Sequence, residues 1–141
     1  MTIGAILASK GSEVVSVGSN DRVSDAVAMF AERRIGAVPV IDDGRVVGIF
    51  SERDVVYSIA KVGAAALEAR IGDLMTAPAM TVGADTPVMS GLSLMTKRRI
   101  RHLPVVRGDT VIGFISIGDL VKHRIDHIEA EAAAMRDYIA S

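Results

Sequence analysis

The sequence predicts a mixed α/β fold made of two copies of a β-α-β-β-α unit, packed sheet to sheet about an approximate two-fold axis, with an extended C-terminal helix. Three observations carry this. The chain of 141 residues repeats itself without a gap. Each copy holds a hairpin signal between two β-rich runs. Each copy then places the same Ser-x-x-Asp string after its last strand. Shifted by 65 residues, Val17-Gly18 falls on Val82-Gly83, Arg33-Arg34-Ile35 on Arg98-Arg99-Ile100, Pro39-Val40 on Pro104-Val105, and Gly48, Ser51 and Asp54 on Gly113, Ser116 and Asp119. A shorter match, Ile3-Gly4 with Ile71-Gly72, runs at an offset of 68, so three extra residues sit around Ser9-Lys10-Gly11. The predicted units are residues 1–62, 63–125 and a helical extension, 126–141. One copy alone buries too little surface to be secure, and pairing two solves that.

Each unit opens with a short β-like stretch, Val14–Val17 and Met80–Val82. A helix follows. In the first copy Asp21 or Ser24 is its expected cap, with Val23, Val27, Phe30 and Ala31 at helical spacing. In the second, Asp85 or Thr86 is the expected cap, with Pro87 in the first turn, where a missing N–H costs nothing. Glu32-Arg33-Arg34 and Lys97-Arg98-Arg99 put cations at the negative helix ends. Strands are expected at Ala37–Ile41 and Arg45–Phe50 around the Asp43-Gly44 turn. In copy two they are expected at Leu103–Val106 and Val111–Ile115 around Arg107-Gly108-Asp109-Thr110. Ser51 and Ser116 are N-cap candidates for the second helices. The last of these is expected to run to about Ile139.

Composition excludes several functions. Lys plus Arg is 16 against 17 for Asp plus Glu, a net charge of −1, which argues against nucleic-acid binding by bulk charge. Aromatics are only 4%, too few for a base-stacking platform. There is no cysteine, so disulfides and thiolate metal sites are out, and three scattered histidines make no metal cage. No apolar run approaches the roughly 20 residues of a membrane helix. The N-terminus has no signal-peptide pattern, so a cytoplasmic protein with no membrane partner is expected. P-loop spacing is absent, and no paired carboxylates or activated nucleophile stand beside the repeats; no enzymatic activity is expected.

The repeated Gly48-Ile-Phe-Ser51-Glu-Arg-Asp54 and Gly113-Phe-Ile-Ser116-Ile-Gly-Asp119 carry the chemistry. A strand ends, Ser opens a helix, and Asp lies on its first turn. Free N–H groups and partial positive charge at a helix N-terminus favour phosphate, and a carboxylate accepts from both hydroxyls of a ribose. The same string is a capping box with Asp in place of Glu. Both readings stand on the residues alone.

Arg-Ile-x-x-x-Pro-Val followed by Gly-h-h-Ser-x-x-Asp, with h apolar, occurs twice, and in this the sequence resembles a tandem pair of CBS domains, the stand-alone bacterial type of Bateman module. The resemblance covers about Ile3 to Ile125. It implies an adenosine ligand in the clefts between copies, AMP first, with ADP, ATP, S-adenosylmethionine or NAD(H) as alternatives and no metal. By it, Asp54 and Asp119 hold ribose, and Ser51 and Ser116 lie near phosphate. Arg101-His102 resembles the family's phosphate-contacting pair and has no counterpart in Gly36-Ala37, so the second clamp is expected to be the tighter. Arg53 and Lys10 are further candidates. Backbone around Ile35–Val38 (Ala37 included) and Ile100–Leu103, leading into Pro104, is expected to read the adenine edge, with Val17, Val82 and Ile100 beside the ring. The implied function is a signal-transducing sensor: a homodimer that binds nucleotide and alters a regulated protein the sequence does not identify. The alternative is a dimerisation scaffold with empty clefts.

Val121, Ile125, Ile128, Ala132, Met135 and Ile139 form an a/d seam, with Asp126, Glu129, Glu131, Arg136 and Asp137 between them. It spans fewer than three heptads, too few for an autonomous coiled coil. It predicts packing on a partner subunit or back on the chain's own module.

Overall fold

The computed structural model describes residues 1–11 and 13–141. Two β-hairpins are the centre of the fold. Strands β1 (Ala37–Asp42) and β2 (Arg45–Ser51) form the first, and β3 (His102–Arg107) and β4 (Thr110–Ser116) the second. They join edge to edge as one antiparallel sheet in the order β1-β2-β4-β3, through the single pair Arg45↔Thr110 at the hairpin tips. The turns differ as their residues require. Asp43 and Gly44 both take positive φ, the two-residue I′ pattern, whereas in the second turn only Gly108 does. Each hairpin has an irregularity at the same repeat position, between Val40 and Ile41 and between Val105 and Val106.

Around the hairpins lie α1 (Ile3–Lys10), α2 (Val23–Arg33), α3 (Glu52–Val62), a 3-10 turn (Gly63–Glu68), α4 (Ile71–Leu74), α5 (Val88–Arg98) and α6 (Ile117–Ala140). α6 is 24 residues long and runs one residue past Ile139, as its periodicity predicts. The expected first strands are reduced to single parallel bridges, Val17↔Val40 and Val82↔Val105, because only one residue of each segment comes alongside the hairpin. The caps of α2 and α5 also differ from expectation. Neither N-terminus has a side-chain cap. Asp21 instead accepts from the Gly18 amide and Thr86 from the Gly83 amide, so these two residues, which occupy one repeat position, close the turn ahead of the helix. Pro87 stands at the N-cap rather than inside the first turn. α2 and α5 end on Arg34 and Arg99 in the left-handed conformation, φ 55° and 54°, where glycine is the commoner residue.

The core has two clusters, and chain order is crossed between them. Val23, Phe30, Val38, Val40 and Phe50 of copy one take in Ile71, from the segment leading into copy two. Met95, Leu103, Val105, Ile115 and Leu120 of copy two take in Ile3, Ile6 and Leu7, from the segment ahead of copy one. The backbone repeats the exchange: Gly4 N donates to Ala84 O and Gly72 N to Ser19 O, both at 2.8 Å. The offset-68 match is therefore a pair of helices, each completing the core of the copy across from it. That interlock fixes the relative position of the copies and the clefts between them.

Candidate functional site

The strand-to-helix junctions are built alike. Ser51 Oγ accepts from the Asp54 amide, and Asp54 Oδ2 accepts from the Ser51 amide at 2.9 Å. Ser116 and Asp119 form the same reciprocal box, with the Ser116 amide to Asp119 Oδ2 also 2.9 Å. The capping reading of Ser-x-x-Asp is thus realised in both copies, and it holds each Asp carboxylate rigidly at the mouth of a helix N-terminus.

Beyond that the two junctions diverge. Asp54 Oδ1 accepts from the Thr76 hydroxyl at 3.0 Å and borders a cleft of about 420 Å³. Gly36, Ala37, Ser51, Glu52 and Arg53 line this cleft from copy one, and Arg98, Arg99, Ile100, Arg101 and His102 from copy two. The basic pair therefore reaches the clamp of the other copy, while His102 also stays paired with Ser116 across β3 and β4, beside the second clamp. Locally, β3 starts beside the N-terminus of α6, where the Arg101 carbonyl accepts from the Ile117 amide, and Arg101 and His102 also form the edge of the cleft shared with the N-terminus of α3. Of the residues expected to bind, Ser51, Arg53, Asp54, Ala37, Ile100, Arg101 and His102 come together here.

Lys10, Ser116 and Asp119 gather elsewhere. The Lys10 ammonium donates to Asp119 Oδ2 at 2.6 Å and to the Phe114 carbonyl at 2.9 Å. Burial raises the Asp119 pKa, but the Lys10 bond and the Ser116 amide outweigh it and hold the carboxyl below 3.8. His102 stacks on Phe114, with ring centroids 5.4 Å apart. Burial lowers its pKa below 6.5; Lys10 and Arg101 act the same way and Asp119 opposes them. His102 is thus neutral at pH 7 and stands between the two junctions.

The remaining expected residues are core. Val17, Val82 and Leu103 are buried, with Val82 and Leu103 in one cluster, and Pro104 is buried with its carbonyl accepting from the Val82 amide. The side chains of Val17, Val82 and Leu103 pack in the two core clusters. Ile35 packs against the copy-one core. Sequence reading missed Thr76, Glu52, Arg98 and Arg99. The arginines look like dipole-compensating cations at a helix end, and nothing in the repeat marks Thr76, which falls on Ala8 at the offset of 68. Among the described residues no three His, Asp or Glu side chains cluster as metal ligands, and no helix is long and apolar enough to cross a membrane.

A family model for the CBS domain matches residues 5–61 and 71–126. A CBS domain-containing mitochondrial protein of Arabidopsis thaliana is 33% identical over 98% of this chain and 71% of its own length. The structure of a CBS-domain containing protein from Agrobacterium tumefaciens superposes with a TM-score of 0.84 at 38% identity, covering 88% of this chain and 99% of that one. The CBS domain pair of protein MJ0100, solved in complex with 5′-methylthioadenosine and S-adenosyl-L-methionine, superposes at 0.79 with 23% identity, over 90% and 98% of the chains.

Proposed function

The chain belongs to the CBS-domain family, and from that membership we propose that it is a regulatory module that binds an adenosine nucleotide in the cleft between its copies. One observation carries the reading: a rigid carboxylate and helix N-terminus of copy one, Asp54 and Ser51, face Arg101 and His102 of copy two across about 420 Å³. That volume lies within the range of small-molecule sites. Asp54 takes the ribose. The α3 N-terminus, with Ser51, Arg53 and Arg101, takes phosphate, and the backbone around Ala37 and Ile100 reads the adenine edge. AMP is the first candidate, with ATP or NAD(H) next. That MJ0100 holds two adenosine compounds supports the ligand class. Ser116 and Asp119 form a second, weaker clamp, because a ligand there must first displace Lys10.

A ligand that touches both copies favours one relative orientation by its differential affinity, and this is its whole contribution to a switch. The protein acts as a cytoplasmic homodimer on a regulated protein and catalyses no reaction. Exposed Val56, Tyr57 and Val62 on α3 support the dimer, since they find no cover among the described residues. Residues 1–62 and 63–125 are the two functional units, with 126–141 as the extension. A dimerisation scaffold with empty clefts is the competing reading. It is favoured by one observation: both Ser-x-x-Asp strings already satisfy each other as caps.

Mass spectrometry of small molecules released on denaturing natively purified protein, followed by calorimetry with AMP, ATP and NADH, separates the two. An adenosine nucleotide released, or saturable heat with any of the three, supports the sensor. Neither overturns it in favour of the scaffold.

A further inference from the structure

The apolar seam of α6 is left largely exposed by the described residues of its own chain. Val121, Ile125, Ile128, Met135 and Ile139 are 42%, 49%, 48%, 59% and 76% exposed, while Leu120, on the face toward the body, is fully buried. With the seam written as a heptad, Ile125, Ala132 and Ile139 take a, and Val121, Ile128 and Met135 take d. The flanking e positions are then Lys122, Glu129 and Arg136, and the g positions include Arg124 and Glu131.

These flanks distinguish orientations. In a parallel, in-register pair each g residue faces the e residue five positions later on the other helix. Arg124 then meets Glu129 of the other copy, and Glu131 meets Arg136. By the two-fold, that makes four opposite-sign contacts. The antiparallel pairing that sets Val121 beside Ile139 instead puts Glu129 against Glu129 and Lys122 near Arg136. Arg124, Glu129 and Arg136 form no ion pair among the described residues, and Glu131 has only His127, at 3.2 Å. The charges that a parallel partner would use are not committed within the chain.

We propose that α6 pairs with α6 of a second copy as a parallel, in-register two-stranded coil, which places both CBS pairs at the same end of the dimer. This rests on the homodimer part of the proposed function and is independent of the nucleotide. The seam is short, so the coil adds to the rest of the dimer contact and sets its direction.

The chain has no cysteine, so single-cysteine variants of the full protein report cleanly. Oxidised Ile139→Cys is expected to give a disulfide-linked dimer by itself. In an antiparallel pair its counterpart lies about 27 Å away along the helix. Arg124→Glu is expected to weaken dimerisation about tenfold, and Arg124→Glu with Glu129→Arg to restore it. Linkage only when Val121→Cys and Ile139→Cys proteins are mixed establishes the antiparallel arrangement and overturns the proposal. A dimer in light scattering with neither linkage removes α6 from the interface and also overturns it. A monomer at all concentrations overturns the homodimer itself.

Discussion

Lys10 and Asp119 are joined by a 2.6 Å ion pair at the second strand-to-helix junction, where at the first junction Asp54 accepts from the neutral Thr76 hydroxyl instead. Two copies of one motif have thus become chemically different sites. The partner in each case comes from the chain ahead of a copy, the region where the repeat changes offset. Lys10 and Asp119 are 41% and 26% exposed, so the pair is worth little as stability, and its consequence is occupancy of the carboxylate.

Lys10→Ala is expected to raise the Asp119 pKa toward its ordinary value and to raise that of His102, which loses a nearby cation. Asp119→Asn is expected to lower His102 further. NMR titration of both side chains checks these signs. Because the folded Asp119 pKa is depressed, its contribution to stability is present above about 3.8 and is lost as pH falls through the folded value. For His102 the unfolded state binds the proton first as pH drops below 6.5, so stability falls with pH there as well.

Ser51→Ala and Ser116→Ala each remove one half of a capping box. A loss of about 1 kcal/mol is expected from either, read as a lower midpoint in urea with an unchanged slope. A neutral result would show that the boxes are not stabilising and would leave ligand binding as their only role.

Gly113 lies against Leu7, and a Cβ there would come within 2.6 Å of Leu7 Cδ2. Gly48 has the same repeat position against Met75 and the Thr76 carbonyl, at 2.7 and 2.8 Å. Gly48→Ala is expected to cost about 1–3 kcal/mol, since backbone yields less than a side-chain tip. Gly113→Ala is expected to cost less. Denaturant melts of the two variants test this order.

Arg101→Gln is expected to weaken AMP more than adenosine, because it removes a charge aimed at phosphate and leaves the ribose contact in place. A loss of about tenfold for AMP is the scale of one charged hydrogen bond. Equal losses for both ligands would move Arg101 away from the phosphate.

Much of this architecture was legible because it depends on local rules. Asp43-Gly44 demands a turn, Ser51 and Ser116 cap helices, and the α6 spacing continues to its end. The failures share a different cause. Asp21 and Thr86 have more than one amide within reach, and the turn amide wins over the helix. Whether Val14–Val17 becomes a strand depends on what lies beside it, and only Val17 finds a partner. The crossing of α1 and α4 between cores is a long-range exchange that no local rule marks. The offset of 68 hints at that exchange only once Ile3 and Ile71 are seen on opposite sides.

The most direct test of the cleft between copies is calorimetric titration of AMP into the wild type, Asp54→Ala and Asp119→Ala proteins. Tight binding in the wild type is expected to weaken by about 1.5–3 kcal/mol, roughly 10- to 150-fold, in Asp54→Ala and to persist in Asp119→Ala. Binding abolished by Asp119→Ala and untouched by Asp54→Ala would contradict the assignment.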